Sequence, residues 1–130
     1  MKIAIFMSLL DVHVNRVPCD GRVETLAHRP GRYHNAAREA ASAENEAMAM
    51  LLADVEGRTR VLVRQVAGVL ARRIVCDAAE GDRVKRGERY GMIKFGSRVE
   101  VFVPVDAGFE PAVAPAQVVR AGETVLGRFR

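Results

Sequence analysis

The residues of this chain best suited to covalent chemistry are Gly96 and Ser97, in the stretch Phe95-Gly96-Ser97-Arg98-Val99. Taken alone, a Gly-Ser pair reads as a turn, because glycine tolerates positive φ and serine can bond its own backbone. His13 is the second candidate, since an imidazole titrates near neutrality and can move protons. His28 and His34 read as exposed loop histidines, and Cys19 and Cys76 as small buried hydrophobes. These five side chains show no paired ligand spacing of the Cys-x-x-Cys or His-x-x-x-His kind, so no metal site is expected.

Two strands are expected to hold the Gly-Ser pair. Tyr90-Gly91-Met92-Ile93-Lys94-Phe95 leads in, and Val99-Glu100-Val101-Phe102-Val103-Pro104 leads out with the alternation of a half-buried strand. At the front, Lys2 to Met7 reads as a buried strand, Ser8 to His13 as a turn opening on a polar loop, and Pro18-Cys19-Asp20-Gly21 as a turn. Gly21 to Leu26 follows as a strand ended by His28-Arg29-Pro30-Gly31-Arg32. Asn35 to Met50 is rich in Ala and Glu, which favours helix or a flexible segment. Its apolar residues are mostly Ala, so burial gains little and a solvated, mobile loop is expected. Met48 to Val55 and Arg60 to Val66 form a hairpin around Glu56-Gly57-Arg58-Thr59. Its second strand is expected to run on through Ala67-Gly68 to Cys76, with Gly68 read locally as a bulge.

Val84-Lys85-Arg86-Gly87-Glu88 recurs as Val119-Arg120-Ala121-Gly122-Glu123. This pattern is similar to the hammerhead of biotinyl and lipoyl carrier domains, where a tight turn feeds a strand of a flattened barrel. With many short apolar runs and glycine turns, the expected fold is mainly β, a flattened barrel-sandwich hybrid with few short helices, in a single domain over 1–130. A carrier would present a modified lysine at a hairpin tip. Lys94 is the nearby candidate, but it lies in an expected strand and lacks Met on both sides.

The chain has 130 residues, 49% of them hydrophobic, enough for one real core. A formal charge of +4 suits an anionic lipid surface, where each nearby Lys or Arg contributes roughly 1 kcal/mol. Nucleic acid is disfavoured as a partner: aromatics are 5%, Trp is absent and no nucleic-acid motif appears. No run of about 18 apolar residues is present to span a membrane. Two cysteines without a signal peptide point to a reducing compartment.

Phe95-Gly96-Ser97, taken with Phe6-Met7-Ser8 and Asp11-Val12-His13-Val14-Asn15-Arg16-Val17-Pro18, resembles the phosphatidylserine decarboxylases, in particular their short prokaryotic and archaeal-type branch. Ala43-Glu44-Asn45-Glu46, Gln65-Val66-Ala67-Gly68 and Ala71-Arg72-Arg73-Ile74-Val75 are similar to further motifs of that family, in the same order, so the resemblance runs from about Ile5 to Arg130. It implies an inactive precursor that cuts itself between Gly96 and Ser97, leaving 1–96 and a smaller chain 97–130 whose Ser97 has become a covalent pyruvoyl group. Such a ketone captures an amine and serves as an electron sink for loss of carbon dioxide. The implied reaction converts phosphatidylserine to phosphatidylethanolamine.

By the same resemblance Ser97, Gly96 and His13 are the catalytic residues, and Arg16, Arg98 and Gly68 are candidates for the substrate side, Arg16 at a position often held by a second His. Arg98 either steadies the substrate carboxylate or pairs with an acid such as Glu100. The implied partners are phosphatidylserine, an anionic membrane surface at the cytoplasmic face of the cell membrane, the cleaved chain itself and a homodimer. The family usually carries a further segment before Lys2, with an anchor and an acidic residue for self-cleavage. The sequence in hand is therefore expected to be a fragment or a short variant, and an inactive truncated chain or a barrel that never matures is the rival outcome beside the carrier.

Overall fold

The computed structural model describes residues 1–7, 14–69, 73–93 and 96–130. Its elements are β1 (Lys2–Met7), β2 (Val14–Arg16), β3 (Gly21–Arg29), α1 (Glu39–Glu44), β4 (Ala47–Asp54), β5 (Arg60–Val66), β6 (Ile74–Cys76), β7 (Arg83–Val84), β8 (Arg89–Ile93), β9 (Ser97–Phe102), β10 (Phe109–Pro111) and β11 (Gly127–Phe129). The protein is mainly β, as its alternating runs require. Six strands make one curled antiparallel sheet, in the order β1-β9-β5-β4-β3-β7. Three more form a second sheet, β2-β8-β6, and β10 pairs with β11.

Alternation along the strands decides what each face of the large sheet carries. Met50, Leu52, Val61, Val63, Val101 and Val103 pack with Val17, Val84 and Tyr90, so the main core lies between the two sheets. A smaller cluster of Met7 and Ile93, joined by Ile74 and Val99, continues it toward the head of β9. The opposite face is not left to solvent, because Ala41 of α1 is buried against Ala47 and Val66.

The expected hairpin is present as β4 and β5, paired from Ala47 opposite Val66 to Ala53 opposite Arg60. Three expectations are corrected. The mobile loop expected in 35–50 is instead α1, with Ala41 and Ser42 buried, and Ala47 already begins β4. Helix docking does not rest on alanine burial alone, since Ser42 hydrogen-bonds a buried carboxylate on the sheet. The strand expected to run from Arg60 to Cys76 stops at Val66, and β6 belongs to the other sheet. Third, β9 begins at Ser97 rather than Val99. Lys94 and Phe95, and the turn expected over 8–13, lie outside the described residues.

Among the described residues no helix is long and apolar enough to cross a membrane. Leu52 is fully buried in the main core, while Val55 is 78% exposed. Leu52→Ala is therefore expected to lower stability by about 2–5 kcal/mol, and Val55→Ala by less than about 0.5 kcal/mol, in chemical denaturation followed by circular dichroism.

Candidate active site

The chain passes from the small sheet to the large one between Ile93 at the end of β8 and Ser97 at the start of β9. Gly96 makes that passage with φ +74°, a left-handed angle that side chains rarely adopt. Its N–H donates to the Met7 carbonyl at 2.6 Å, and Met7 stands directly opposite Ser97 in the β1 to β9 register. Ser97 is fully buried and shares the core-side face of β9 with Val99 and Val101.

On the other side of β9 runs β5, whose end leads into Ala67 and Gly68. A Cβ at Gly68 would lie 1.8 Å from the Gly96 carbonyl oxygen and 2.9 Å from its carbon. Only a glycine permits this approach. Gly96 is thus flanked on both sides, its N–H bonded to Met7 of β1 and its carbonyl approached closely by the Gly68 backbone just beyond β5.

Asn45 fixes the Gly68 side of this grip. It is fully buried, donating to the carbonyls of Ala67 at 2.7 Å and His34 at 2.9 Å while its Oδ1 accepts the His34 N–H. The sequence reading assigned Asn45 no role, although it lies in one of the quoted motifs; its signal was a polar residue at the entry to an apolar strand. Gln65, also unassigned, is fully buried opposite Val99. Its Oε1 accepts from Asn15 Nδ2 at 2.7 Å, which ties β2 to the strand beside β9. His13 lies outside the described residues, just before Val14 opens β2.

The substrate-side candidates fall in three places. Gly68 is at the carbonyl, as described. Arg98 follows Ser97 but faces the opposite side of the sheet, where its Nη2 lies 3.1 Å from Glu100 Oε2 and 3.5 Å from Glu39 Oε2. Arg98 pairs with Glu100 in this structure. Arg16 donates from Nη1 to the Gly87 carbonyl at 2.7 Å, and a Cβ on Gly122 would come within 2.8 Å of its Cδ. Arg16 therefore bridges the two turns of the internal repeat.

Glu100 is fully buried and is the hub of the back face. Arg64, directly opposite it on β5, donates to Oε1, and Ser42 Oγ donates to Oε2 at 2.7 Å. Lys2 stands 3.6 Å from the same Oε2. Burial alone raises the Glu100 carboxyl, but hydrogen bonds from Ser42 and Arg64, with the charges of Arg64 and Arg98, outweigh it and hold the group below its ordinary value.

Other reactive side chains are poorly placed. Burial, helped by Asp20 and Asp54, pushes the Cys19 thiol up to about 11, so little thiolate exists at neutral pH. His28 lies on β3 and bonds Glu46 at 2.7 Å. β8 and β9 belong to different sheets, so the segment holding Lys94 does not join paired strands as a carrier hairpin would.

A family model described as phosphatidylserine decarboxylase matches residues 1–127. The chain is 48% identical over 126 residues to the phosphatidylserine decarboxylase proenzyme of Oleidesulfovibrio alaskensis, covering 97% of this chain and 56% of that protein. It is 49% identical over 129 residues to the proenzyme of the same name from Pelobacter propionicus, covering 99% and 57%. With the proenzyme of Granulibacter bethesdensis it shares 49% over 125 residues, covering 96% and 50%. The chain thus spans about half the length of the curated relatives it matches. No solved structure gives a significant match.

The depressed Glu100 carboxyl fixes a direction for acid stability. Its contribution is present above the ordinary value of 4.5 and is lost as pH falls through the lowered folded value. Glu24, Glu39 and Glu46 are also held low, first by side-chain hydrogen bonds with Arg60, Lys2 and His28. Thermal midpoints are expected to fall below pH 4.5. Raised salt should flatten the part due to the exposed pairs and leave the Glu100 part, which Glu100→Gln alone removes.

Proposed function

Since the chain belongs to the phosphatidylserine decarboxylase family, we propose that it carries the self-cutting and catalytic portion of a proenzyme that makes phosphatidylethanolamine and carbon dioxide from phosphatidylserine. The observation that supports this best is the close approach of Gly68 to the Gly96 carbonyl, with Ser97 fully buried next to it.

In this reading Ser97 Oγ attacks the Gly96 carbonyl carbon as a base takes its proton. The C–N bond then breaks, the nitrogen takes a proton, and an ester replaces the amide. Removal of the Ser97 Cα proton expels Gly96 as a carboxylate through cleavage of the Cβ–O bond, leaving a dehydroalanine at position 97. One water adds, ammonia leaves, and a pyruvoyl group remains on the nitrogen of Arg98. His13 is assigned as the proton carrier, imidazole being the side chain most often used for general acid–base transfer. Gly68 leaves the carbonyl oxygen close to backbone, where charge develops during attack.

The residues present fit a pyruvoyl group at position 97, because it is small and planar and Gly68 and Gly96 crowd it with no side chain. When formed, it supplies the electron sink for decarboxylation. Chain 97–130 stays with 1–96 after the cut because β9 is paired on one side to β1 and on the other to β5. Lipid approach at the cytoplasmic face of the membrane, with the protein held peripherally, is supported by the +4 charge and by exposed Phe6, Val69 and Met92. Phe6 stands opposite Arg98 and Val69 follows Gly68, so two of the three adjoin the junction. Arg16 serves this reading from a distance, by bridging the repeat.

Intact mass of the complete protein tests the reading. Two pieces meeting at Gly96 and Ser97, the second with a blocked, hydrazine-reactive end, are expected. Ser97→Ala should stay whole and inactive, and Gly68→Ala should slow the cut by about 100-fold, the scale of an ångström-sized misplacement. An uncut but active Ser97→Ala protein, or a wild-type chain that stays whole and unmodified, would overturn it. Added mass on Lys94 would point instead to a carrier.

A further inference from the structure

The back face of the sheet holds a charged cluster that the cutting chemistry does not use. Glu100 and Arg98 lie two residues apart on β9, and both are buried, the Arg98 side chain 8% exposed and Glu100 not at all. Around them stand Arg64, Ser42, Lys2 and Glu39, contributed by β5, α1 and β1. Arg98 Nη1 also donates to the Ala36 carbonyl at 3.4 Å, and the Ala36 Cβ would lie 3.5 Å from a Cβ placed on Gly68. The same short segment, 36–42, therefore touches Gly68, Arg98 and Glu100.

This arrangement matters most once the Gly96–Ser97 bond is gone. Before the cut, the head of β9 is tethered on both sides by covalent bonds. Afterwards its first residue has lost its tether and its amide N–H, which departs as ammonia. Ends of strands fray when nothing holds them. Arg98 is the first side chain behind the new end, and its guanidinium is the one anchored in protein.

We propose that Arg98, clamped by Glu100 and by the 36–42 segment, is a positioning residue that keeps the newly made chain end seated beside Gly68 after the cut. The inference rests on the self-cleavage reading above. It assigns Arg98 away from the substrate carboxylate: its guanidinium is turned to the back face, against Glu100, while Ser97 shares the core side with Val99. The charges agree with a fixed cluster. Three cations, Lys2, Arg64 and Arg98, surround one fully buried carboxylate, and Glu39 meets two of them from the rim. Arg98 Nη2 pairs with Glu100 while Nη1 donates to the Ala36 carbonyl, so the buried guanidinium is held at two points, unlike an exposed pair that slides.

The test uses Glu100→Gln and Arg98→Lys in the complete protein. Cutting is followed by intact mass, the new carbonyl is titrated with a hydrazine, and turnover of phosphatidylserine in detergent micelles is normalised to carbonyl. Both variants are expected to cut and to carry the carbonyl, with kcat lowered about tenfold or more and KM within about twofold of the parent. The double variant should be no worse than either single one, since both break one clamp. Should Glu100→Gln fail to fold, Arg98→Lys, which keeps the charge but loses the fork, gives the same readout.

Carbonyl-bearing variants with parental kcat would overturn the clamp alone. A raised KM at unchanged kcat would overturn it too, by making Arg98 a substrate ligand. Variants that stay whole would move the pair into the cutting step and end the proposal of a role after it. A wild-type chain that is never cut would remove the self-cleavage reading itself, and the clamp with it.

Discussion

The contact on which the site depends is that of one backbone with another: Gly68 lies so close to the Gly96 carbonyl that no other residue fits. Placed between neighbouring strands, the carbonyl has one orientation, which a carbonyl on a free loop would not. The sheet order creates this contact, since the end of β5 and the head of β9 are neighbours only because their antiparallel register runs from Leu62 opposite Phe102 to Val66 opposite Arg98. β1 completes it from the other edge through the Met7 carbonyl. Asn45 then holds the Ala67 carbonyl with a buried amide, so the peptide before Gly68 is fixed as well. Leaving that carbonyl unsatisfied would cost about 1–3 kcal/mol, a strong reason for a buried polar side chain at this point.

Much of this was legible in the residues. Alternation located most of β9, and apolar runs located β1, β4, β5 and most of β8, although β1, expected as a buried strand, is an edge strand in which Met7 alone is buried. Glycine at positions 68 and 96 was legible as a backbone requirement, though not which backbone it served. What stayed hidden was long-range. Ala67-Gly68-Val69 continues the apolar pattern of β5, and nothing local says that the strand must end where it meets another chain segment. The 35–50 segment misled for a different reason. Its alanines promise little burial, and its docking depends on a serine and a glutamate finding partners on strands far along the chain. Likewise Asn45 and Gln65 are polar residues whose partners, Ala67 and Asn15, come together only in the fold.

The sheet divides labour between its faces. On the core side Ser97 shares its face with Met7 and Val99 at the junction of the two sheets, beside the apolar cluster of Met7 and Ile93. The back face carries the charges.

Burying Glu100 with Arg64 and Arg98 is not the cheapest way to stabilise a sheet. Apolar residues of similar volume in such a place often do as well or better, while loss of one partner leaves an uncompensated charge costing about 3–5 kcal/mol. What the ionic arrangement adds is a single geometry. Arg64 is opposite Glu100 in register, its guanidinium lies 5.3 Å from the centre of the Phe102 ring, and Ser42 supplies a hydroxyl from above. Each partner comes from a different element, so α1, β5 and β9 can satisfy Glu100 together in only one relative placement. An apolar cluster would tolerate sliding by a fraction of an ångström, and the head of β9 would slide with it.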